Sequence, residues 1–340
     1  MVNFADILAE KKAIIWKEVQ AFLPTEGPLD FVEITREYPA RQGKYGRGTL
    51  VLLGCEAFGG DPSKAVRTAA AMQISEDWIL IHDDFEDDSE ERRGKPALHK
   101  IYGNELAINA GDALHVLMWK VLLANRPVLG DDLTFRVMGE FQRFLEITTR
   151  GQHLENSLTF LDRVPLEQLD YSHYEQIVYG KTCEYTIAGP IRLGAIIAGA
   201  DDRALEKISQ FAIPLGKGFQ IRDDILNLVG KGSAYGKEIG GDIFEGKRTI
   251  MLIHLIKHTA GDEHARVLEI MKKPRAKKTE KDIEFIIDLM KKRGSIAHAE
   301  EMAERYAGEA KAAFNKHFPG LPNRDAFEAA IEFFAKKRMA

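Results

Sequence analysis

The stretch Trp78-Ile79-Leu80-Ile81-His82-Asp83-Asp84-Phe85-Glu86-Asp87 decides how this chain is read. An apolar helical run ends in a burst of acid, and Arg92-Arg93-Gly94 follows close behind. Upstream, Asp61-Pro62 supplies a cap and a first-turn proline, and apolar residues recur at helical spacing through Ala65, Ala69, Met72 and Trp78 to Ile81. Asp83, Asp84 and Asp87 then stand at i, i+1 and i+4, which crowds carboxylates on one helix face. That crowding is unfavourable unless cations sit among the charges. A solvated acidic run is the plain alternative, since seven of the nine residues 83–91 are acidic. The apolar residues before and the arginines after argue that the acids begin where a buried helix meets a cavity or solvent. Hard carboxylate oxygens suit Mg²⁺, which keeps several waters and shares phosphate oxygens. Arg92 and Arg93 suit a bidentate grip on a diphosphate.

A second acidic segment repeats the pattern downstream. Phe219-Gln220-Ile221-Arg222-Asp223-Asp224-Ile225-Leu226-Asn227 follows the apolar residues Ile213, Pro214 and Leu215. A helix-end acid pair is common, and Asn227 is neutral where a further carboxylate would strengthen the pattern. A run of glycines and lysines comes next: Tyr235-Gly236-Lys237-Glu238-Ile239-Gly240-Gly241-Asp242, then Glu245-Gly246-Lys247-Arg248-Thr249. Glycine lets a backbone approach a ligand closely, and Lys237 and Lys247 would bring charge to phosphates. Gly-Lys also occurs in Gln42-Gly43-Lys44-Tyr45-Gly46-Arg47-Gly48, which alone reads as a flexible basic turn, and in Gly180-Lys181-Thr182, which alone reads as a helix interior.

The rest of the chain frames these motifs. With 340 residues, length alone suggests about two domains. No linker or shift in composition divides it, so a single domain over 1–340 is expected. At 45% hydrophobic and 29% charged residues it can bury a sizeable core. A net charge of −5 gives no sign of a nucleic-acid partner. Only Cys55 and Cys183 are present, which excludes a disulfide framework and fits a reducing compartment. Met1 to Phe22 is amphipathic rather than secretory in type, and no stretch reads as the ~20 apolar residues that span a bilayer. A cytoplasmic protein with no transmembrane segment is expected. Helical periodicity continues from Asn104 through Val121 and from Asp131-Asp132 through Ile147. It recurs around 166–181, 183–198, 202–230, 246–259, 262–272, 279–293, 295–316 and 324–338. Strand-like alternation is scarce and no hairpin signal has good flanks. The expectation is an all-α fold of about ten or more helices around a central cavity.

Together these motifs resemble the trans-isoprenyl diphosphate synthase family, which includes the farnesyl and geranylgeranyl diphosphate synthases. The family's DDxxD followed by four residues and RRG is matched by Asp83 to Gly94, and FQxxDD by Phe219 to Asp224. GKxxR is matched at Lys44 and Arg47, the KT pair at Lys181-Thr182, and GKxxxxDxxxGK at Lys237, Asp242 and Lys247. Gly111-Asp112 and Gly151-Gln152 match lesser landmarks. The resemblance implies an isoprenoid-synthase helical bundle, usually dimeric, that condenses isopentenyl diphosphate with an allylic diphosphate. By analogy, three Mg²⁺ are held by Asp83 and Asp87 and by Asp223 with Asp224, and Asp84 belongs to the same catalytic motif. Arg92, Lys181 and Lys247 would add charge to the allylic diphosphate, with Lys237 nearby. Lys44, Arg47 and Arg93 would hold isopentenyl diphosphate without metal. The carbonyl of Lys181, with Thr182 and Gln220, would face the allylic carbons and steady the cation. The basic run Lys336-Lys337-Arg338 would help close the site or be a solvated helix end.

Three residues depart from the family pattern. Where a His or Gln usually contacts isopentenyl diphosphate, this chain has Glu76, which repels a diphosphate unless paired or protonated. Either Gln73, one turn earlier, takes over that contact, or Glu76 pairs with Lys44 or Arg47. Asn227 replaces the last Asp of the second motif, and Gln42 replaces the first glycine of GGK. Product length in the family is steric, and the residues that set it here would be Trp78 and Ile79. One aromatic at the fifth position before Asp83 suggests a C20 stop, geranylgeranyl diphosphate, with farnesyl diphosphate (C15) as the alternative because Trp is bulky. A terpene cyclase would normally lack Lys44, Arg47 and the Lys237–Lys247 run. A non-catalytic partner subunit would normally lose the aspartates or the arginine pair.

Overall fold

The computed structural model describes residues 3–230 and 239–336. Almost every element is a helix, as expected, and several helix starts carry side-chain caps, though Asn104 begins its helix without one. The Asn3 side chain accepts the Ala5 N–H at the head of Phe4–Phe22. Asp61 accepts the Ser63 N–H and opens a short 3₁₀ turn, Pro62–Ala65, that feeds the 21-residue helix Val66–Glu86. Asp170 caps Tyr171–Val178, and Thr279 forms a capping box with Asp282 at Glu280–Lys292. Each side-chain acceptor answers a backbone donor that has no partner inside its helix.

The chain divides into two compact units. The first takes Met1–Phe144, Thr186–Gln210 and Phe314–Glu332. In it Val66–Glu86 packs on Asn104–Leu123, on Phe4–Phe22 and on Gly46–Ala57, around a core that includes Tyr38, Leu52, Met72 and Phe141. Gly46–Ala57 lies against Gly189–Ile197 with almost no side chain between them. A Cβ on Gly54 would meet the Ile191 carbonyl oxygen at 2.5 Å, and one on Gly194 would meet that of Val51 at 2.1 Å. Asn104–Leu129 exceeds the apolarity expected of it: its mean hydropathy reaches 1.3 over a membrane-length window, of which 44% is buried in the unit.

The second unit takes Leu145–Tyr185, Phe211–Ala313 and Phe333–Ala340. Leu158, Ile177, Ile221, Leu252 and Ile286 belong to its core. One helix here departs from the sequence reading. Tyr179–Ala188 is π-helical and runs without a break into Gly189–Ile197, whereas periodicity placed a boundary near 182. Gly151 and Gly180 let the segment sit close: a Cβ on Gly180 would meet the Ile147 carbonyl at 2.8 Å. The helix read at 246–259 starts later, at Ile250, because Gly246 takes a positive φ of 81° and Thr249 caps.

The second departure is a hairpin. Glu91–Arg92 pairs antiparallel with Lys95–Pro96 across Arg93-Gly94, whose φ values are 54° and 74°. Two positive φ angles make the tight turn that suits a two-residue loop. Arginine is a poor residue for that conformation, so no hairpin signal was legible. Its side chain is held from elsewhere, as the site shows.

Candidate functional site

Asp83 and Asp84 lie in the last turn of Val66–Glu86, and Asp87 follows as its C-cap, its N–H bonded to the Asp83 carbonyl at 2.9 Å. The helix dipole places negative potential at that end, so three carboxylates there require compensation. The two adjacent aspartates receive it differently. Asp84 is fully buried; it accepts the Tyr38 hydroxyl at 2.6 Å and the Arg92 Nε at 3.0 and 2.9 Å, with Arg92 Nη2 also bonded to it. Burial, and then the Asp84 charge, push the Tyr38 phenol up. Asp83 is half-buried on the same turn and Asp87 is buried.

The hairpin carries Arg93 back to the same helix. Its Nη1 donates to the Tyr38 carbonyl at 3.0 Å and to Asp77 Oδ1 at 2.9 Å, and its Nη2 lies 3.4 Å from Glu76 Oε1. Arg47 Nη1 lies 3.0 Å from the other Glu76 oxygen, and its Nη2 donates to Thr186 Oγ1 at 2.9 Å. Glu76 is therefore paired, with Arg47 as one of the two partners considered and Arg93 as one that was not. Burial pushes Asp77 up to about 6, against the pull of Arg93 and with a further push from Glu76. Gln73 is buried and Lys44 is exposed.

The second acidic motif, described within its own unit, shows the same split. Asp223 and Asp224 stand in the last two turns of Asp202–Val229. Asp224 is buried and accepts the Tyr174 hydroxyl at 2.7 Å and the Gln220 amide at 2.8 Å. Burial pushes it up to about 6, while both hydrogen bonds pull it down. Asp223 is half-buried. Thr182 donates to the Gln220 oxygen at 2.6 Å, so Thr182, Gln220, Asp224 and Tyr174 form one chain of bonds. Asn227 does not extend the acidic set: its Oδ1 accepts the Asp242 N–H at 3.1 Å and helps hold the start of Gly241–Glu245. Lys181 pairs with Glu155, and Lys247 with Glu245 at 2.8 Å. Lys237, Lys337 and Arg338, with the side chain of Lys336, lie outside the described residues.

At the apolar side of the first motif, the Trp78 ring lies 4.8 Å from His115 and 5.7 Å from His82, centroid to centroid. Trp119 Nε1 donates to His115 Nε2 at 3.1 Å. Ile79 is half-buried. Sequence reasoning missed Tyr38, Asp77, His115, Glu155 and Tyr174. Only Asp77, next to Glu76, and Glu155, one turn after Gly151-Gln152, carried a signal that could have found them.

Within the first unit Asp83 and Asp87 carry carboxylate oxygens, the kind of donor that suits a hard divalent ion, and within the second unit Asp223 does. Among the described residues, no three or more His, Cys, Asp or Glu close on a metal by themselves.

The chain is 31% identical to the geranylgeranyl diphosphate synthase of Saccharolobus solfataricus over 265 residues, 78% of this chain and 77% of that one. Its fold matches a geranylgeranyl pyrophosphate synthetase from Pyrococcus horikoshii with a TM-score of 0.83 at 29% identity, over 98% of this chain and 99% of that one. It also matches a polyprenyl synthase from Caulobacter crescentus, solved with calcium and isoprenyl diphosphate, with a TM-score of 0.85 at 25% identity, over 98% of both chains. The polyprenyl synthetase family matches residues 30–290, and the chain belongs to that family.

Proposed function

We propose that this chain is a Mg²⁺-dependent prenyltransferase. It joins isopentenyl diphosphate head-to-tail to an allylic diphosphate of C5 to C15 and releases diphosphate, with geranylgeranyl diphosphate as product. The observation that carries this reading is the matched split in the two acidic motifs. In each, the second aspartate is buried on a tyrosine hydroxyl, at 2.6 Å for Asp84 and 2.7 Å for Asp224, while the first is only half-buried. A merely solvated acidic run would not bury one aspartate of each adjacent pair on a tyrosine hydroxyl.

Asp83, Asp87 and Asp223 would hold the metal, three ions in all, with Asp224 contributing through its neighbour. Bound Mg²⁺ would stabilise negative charge on the oxygens of the departing diphosphate. Lys181 and Lys247, with Lys237, add cationic charge for the allylic diphosphate, and Arg92 does so from its place on Asp84. The Lys181 carbonyl, Thr182 and Gln220 steady the allylic cation while the isopentenyl double bond attacks it, and the new cation then loses a proton to the released diphosphate. Lys44, Arg47 and Arg93 take isopentenyl diphosphate. Trp78, braced by His115 and His82, with Ile79, limits the growing chain. That bracing of a large ring favours farnesyl diphosphate as the second product reading.

Exposed apolar residues on Asn104–Leu123 and beyond support a homodimer. Val116 is 69% exposed and Phe135 58%, and a second copy of the chain would cover them. The activity is tested by incubating the protein with isopentenyl diphosphate and C5, C10 or C15 primers, with and without Mg²⁺, and measuring chain length. Absence of elongation with every primer overturns the proposal.

A further inference from the structure

Two guanidinium groups of the first unit share one internal anion. Glu76 Oε2 lies 3.0 Å from Arg47 Nη1, and Glu76 Oε1 lies 3.4 Å from Arg93 Nη2. The three side chains remain partly accessible, at 24% for Arg47, 14% for Arg93 and 11% for Glu76. The basic turn closes over them: a Cβ on Gly43 would meet Arg93 Nη2 at 2.8 Å and Glu76 Oε1 at 3.3 Å. Arg93 has a second carboxylate in Asp77, at 2.9 Å. Both arginines therefore already face carboxylates. An arginine pair that awaits a phosphate group would keep its charge for the ligand. Here an incoming diphosphate has to take the guanidinium groups from a carboxylate that already holds them.

We propose that Glu76 is a specificity-determining residue, a built-in competitor that weakens the protein's hold on the metal-free diphosphate. This rests on the reading above that Arg47 and Arg93 take isopentenyl diphosphate. Glu76 sets how much of that substrate is needed, and the protein's demand for the allylic partner is untouched by it. Asp77 is the anchor that keeps Arg93 in place when Glu76 lets go. A supporting role for Glu76, in which it merely orients the arginines, predicts the opposite sign on its removal.

The test is steady-state kinetics of Glu76→Gln, which keeps the shape and an acceptor oxygen but removes the charge. Its KM for isopentenyl diphosphate should fall about tenfold, the modest scale left of one near-contact charge after screening and desolvation. The KM for the allylic diphosphate should hold. In parallel, titration calorimetry with inorganic pyrophosphate in EDTA should show tighter binding to the variant than to the parent protein. Glu76→Ala, read the same way, guards against a folding defect peculiar to glutamine. The reference variants are Arg47→Ala and Arg93→Ala, each of which should raise the KM for isopentenyl diphosphate. If they do, and removal of the Glu76 charge leaves that KM unchanged or raises it, the competitor role is overturned and the site assignment stands. If neither arginine variant moves that KM, the assignment itself fails and the inference falls with it.

Discussion

Asp83 and Asp84 are neighbours of identical chemistry, and the structure predicts that alanine at each will do opposite things. Asp84 is fully buried and takes both the Tyr38 hydroxyl, at 2.6 Å, and the Arg92 guanidinium. Arg92 is itself only 9% exposed. Asp84→Ala therefore leaves a buried cation without its carboxylate and a buried hydroxyl without its acceptor. Breaking a buried pair from one side costs about 3–5 kcal/mol. That is a large share of the ~5–15 kcal/mol by which a domain is stable. Asp83→Ala removes a half-buried carboxylate from a crowded helix end, and its cost should stay within about 1 kcal/mol. The assay is urea unfolding followed by tryptophan fluorescence. Trp16, Trp78 and Trp119 are the chain's three tryptophans and all lie in the first unit, so the signal reports that unit alone. Adding Arg92→Met to Asp84→Ala should recover most of the loss, because removing both partners leaves no stranded charge. The reasoning is refuted if Asp84→Ala unfolds within about 0.5 kcal/mol of Asp83→Ala, or if the double variant is as unstable as the two losses summed.

The same division fixes the activity predictions. Asp83→Ala and Asp223→Ala should each abolish turnover while far-ultraviolet circular dichroism stays that of the parent; an active variant at either position contradicts the metal assignment. Trp78→Ala should lengthen the product in chain-length analysis, since it removes a ring braced at 4.8 Å by His115; an unchanged product moves the limit elsewhere. Burial, and then His258 and His298, hold His254 down at about 4. The unfolded chain binds that proton from about pH 6.5 downward and the folded chain does not until near 4. Stability present above pH 6.5 is therefore lost progressively as pH falls toward 4, and His254→Asn should flatten that slope in thermal melts. Parallel slopes in parent and variant exclude His254 as the cause.

Fold class was legible because caps and periodicity are local. Asp61, the cap read from the sequence, bonds the Ser63 N–H two residues on, and Asn3, Asp170 and Thr279, which were not singled out, cap in the same local way. What escaped depends on partners far along the chain. Tyr38 reaches Asp84 across 46 positions and Tyr174 reaches Asp224 across 50, and nothing about an isolated tyrosine announces that. Arg93 adopts a φ of 54° that its own preferences oppose, because Asp77 and the Tyr38 carbonyl fix its side chain. The π-helical run Tyr179–Ala188 packs through Gly180 against Gly151 and Ile147, partners some thirty positions back that no local pattern announces. The motifs identified which residue types matter. They did not rank two adjacent aspartates, because ranking requires knowing which one a tyrosine reaches.

That ranking also explains why an acid with no exposed surface belongs in the motif at all. Asp84 holds Arg92, in the first strand of the hairpin; Arg93 follows in its turn; and Arg93 meets Asp77 and Glu76, which meets Arg47. The acidic motif and the proposed anion site are thus two sets of ion pairs on the helix Val66–Glu86, joined through the backbone of Arg92-Arg93. Charge placed in one half is felt in the other. Asp84→Asn would keep the shape and lose the charge, so it should loosen Arg92 first and Arg93 through it. The signature to look for is a raised KM for isopentenyl diphosphate, a substrate that Asp84 never touches in the proposed arrangement. Were Asp84→Asn to alter only the metal requirement and leave that KM alone, the hairpin would not couple the two halves, and each motif would have to be explained separately.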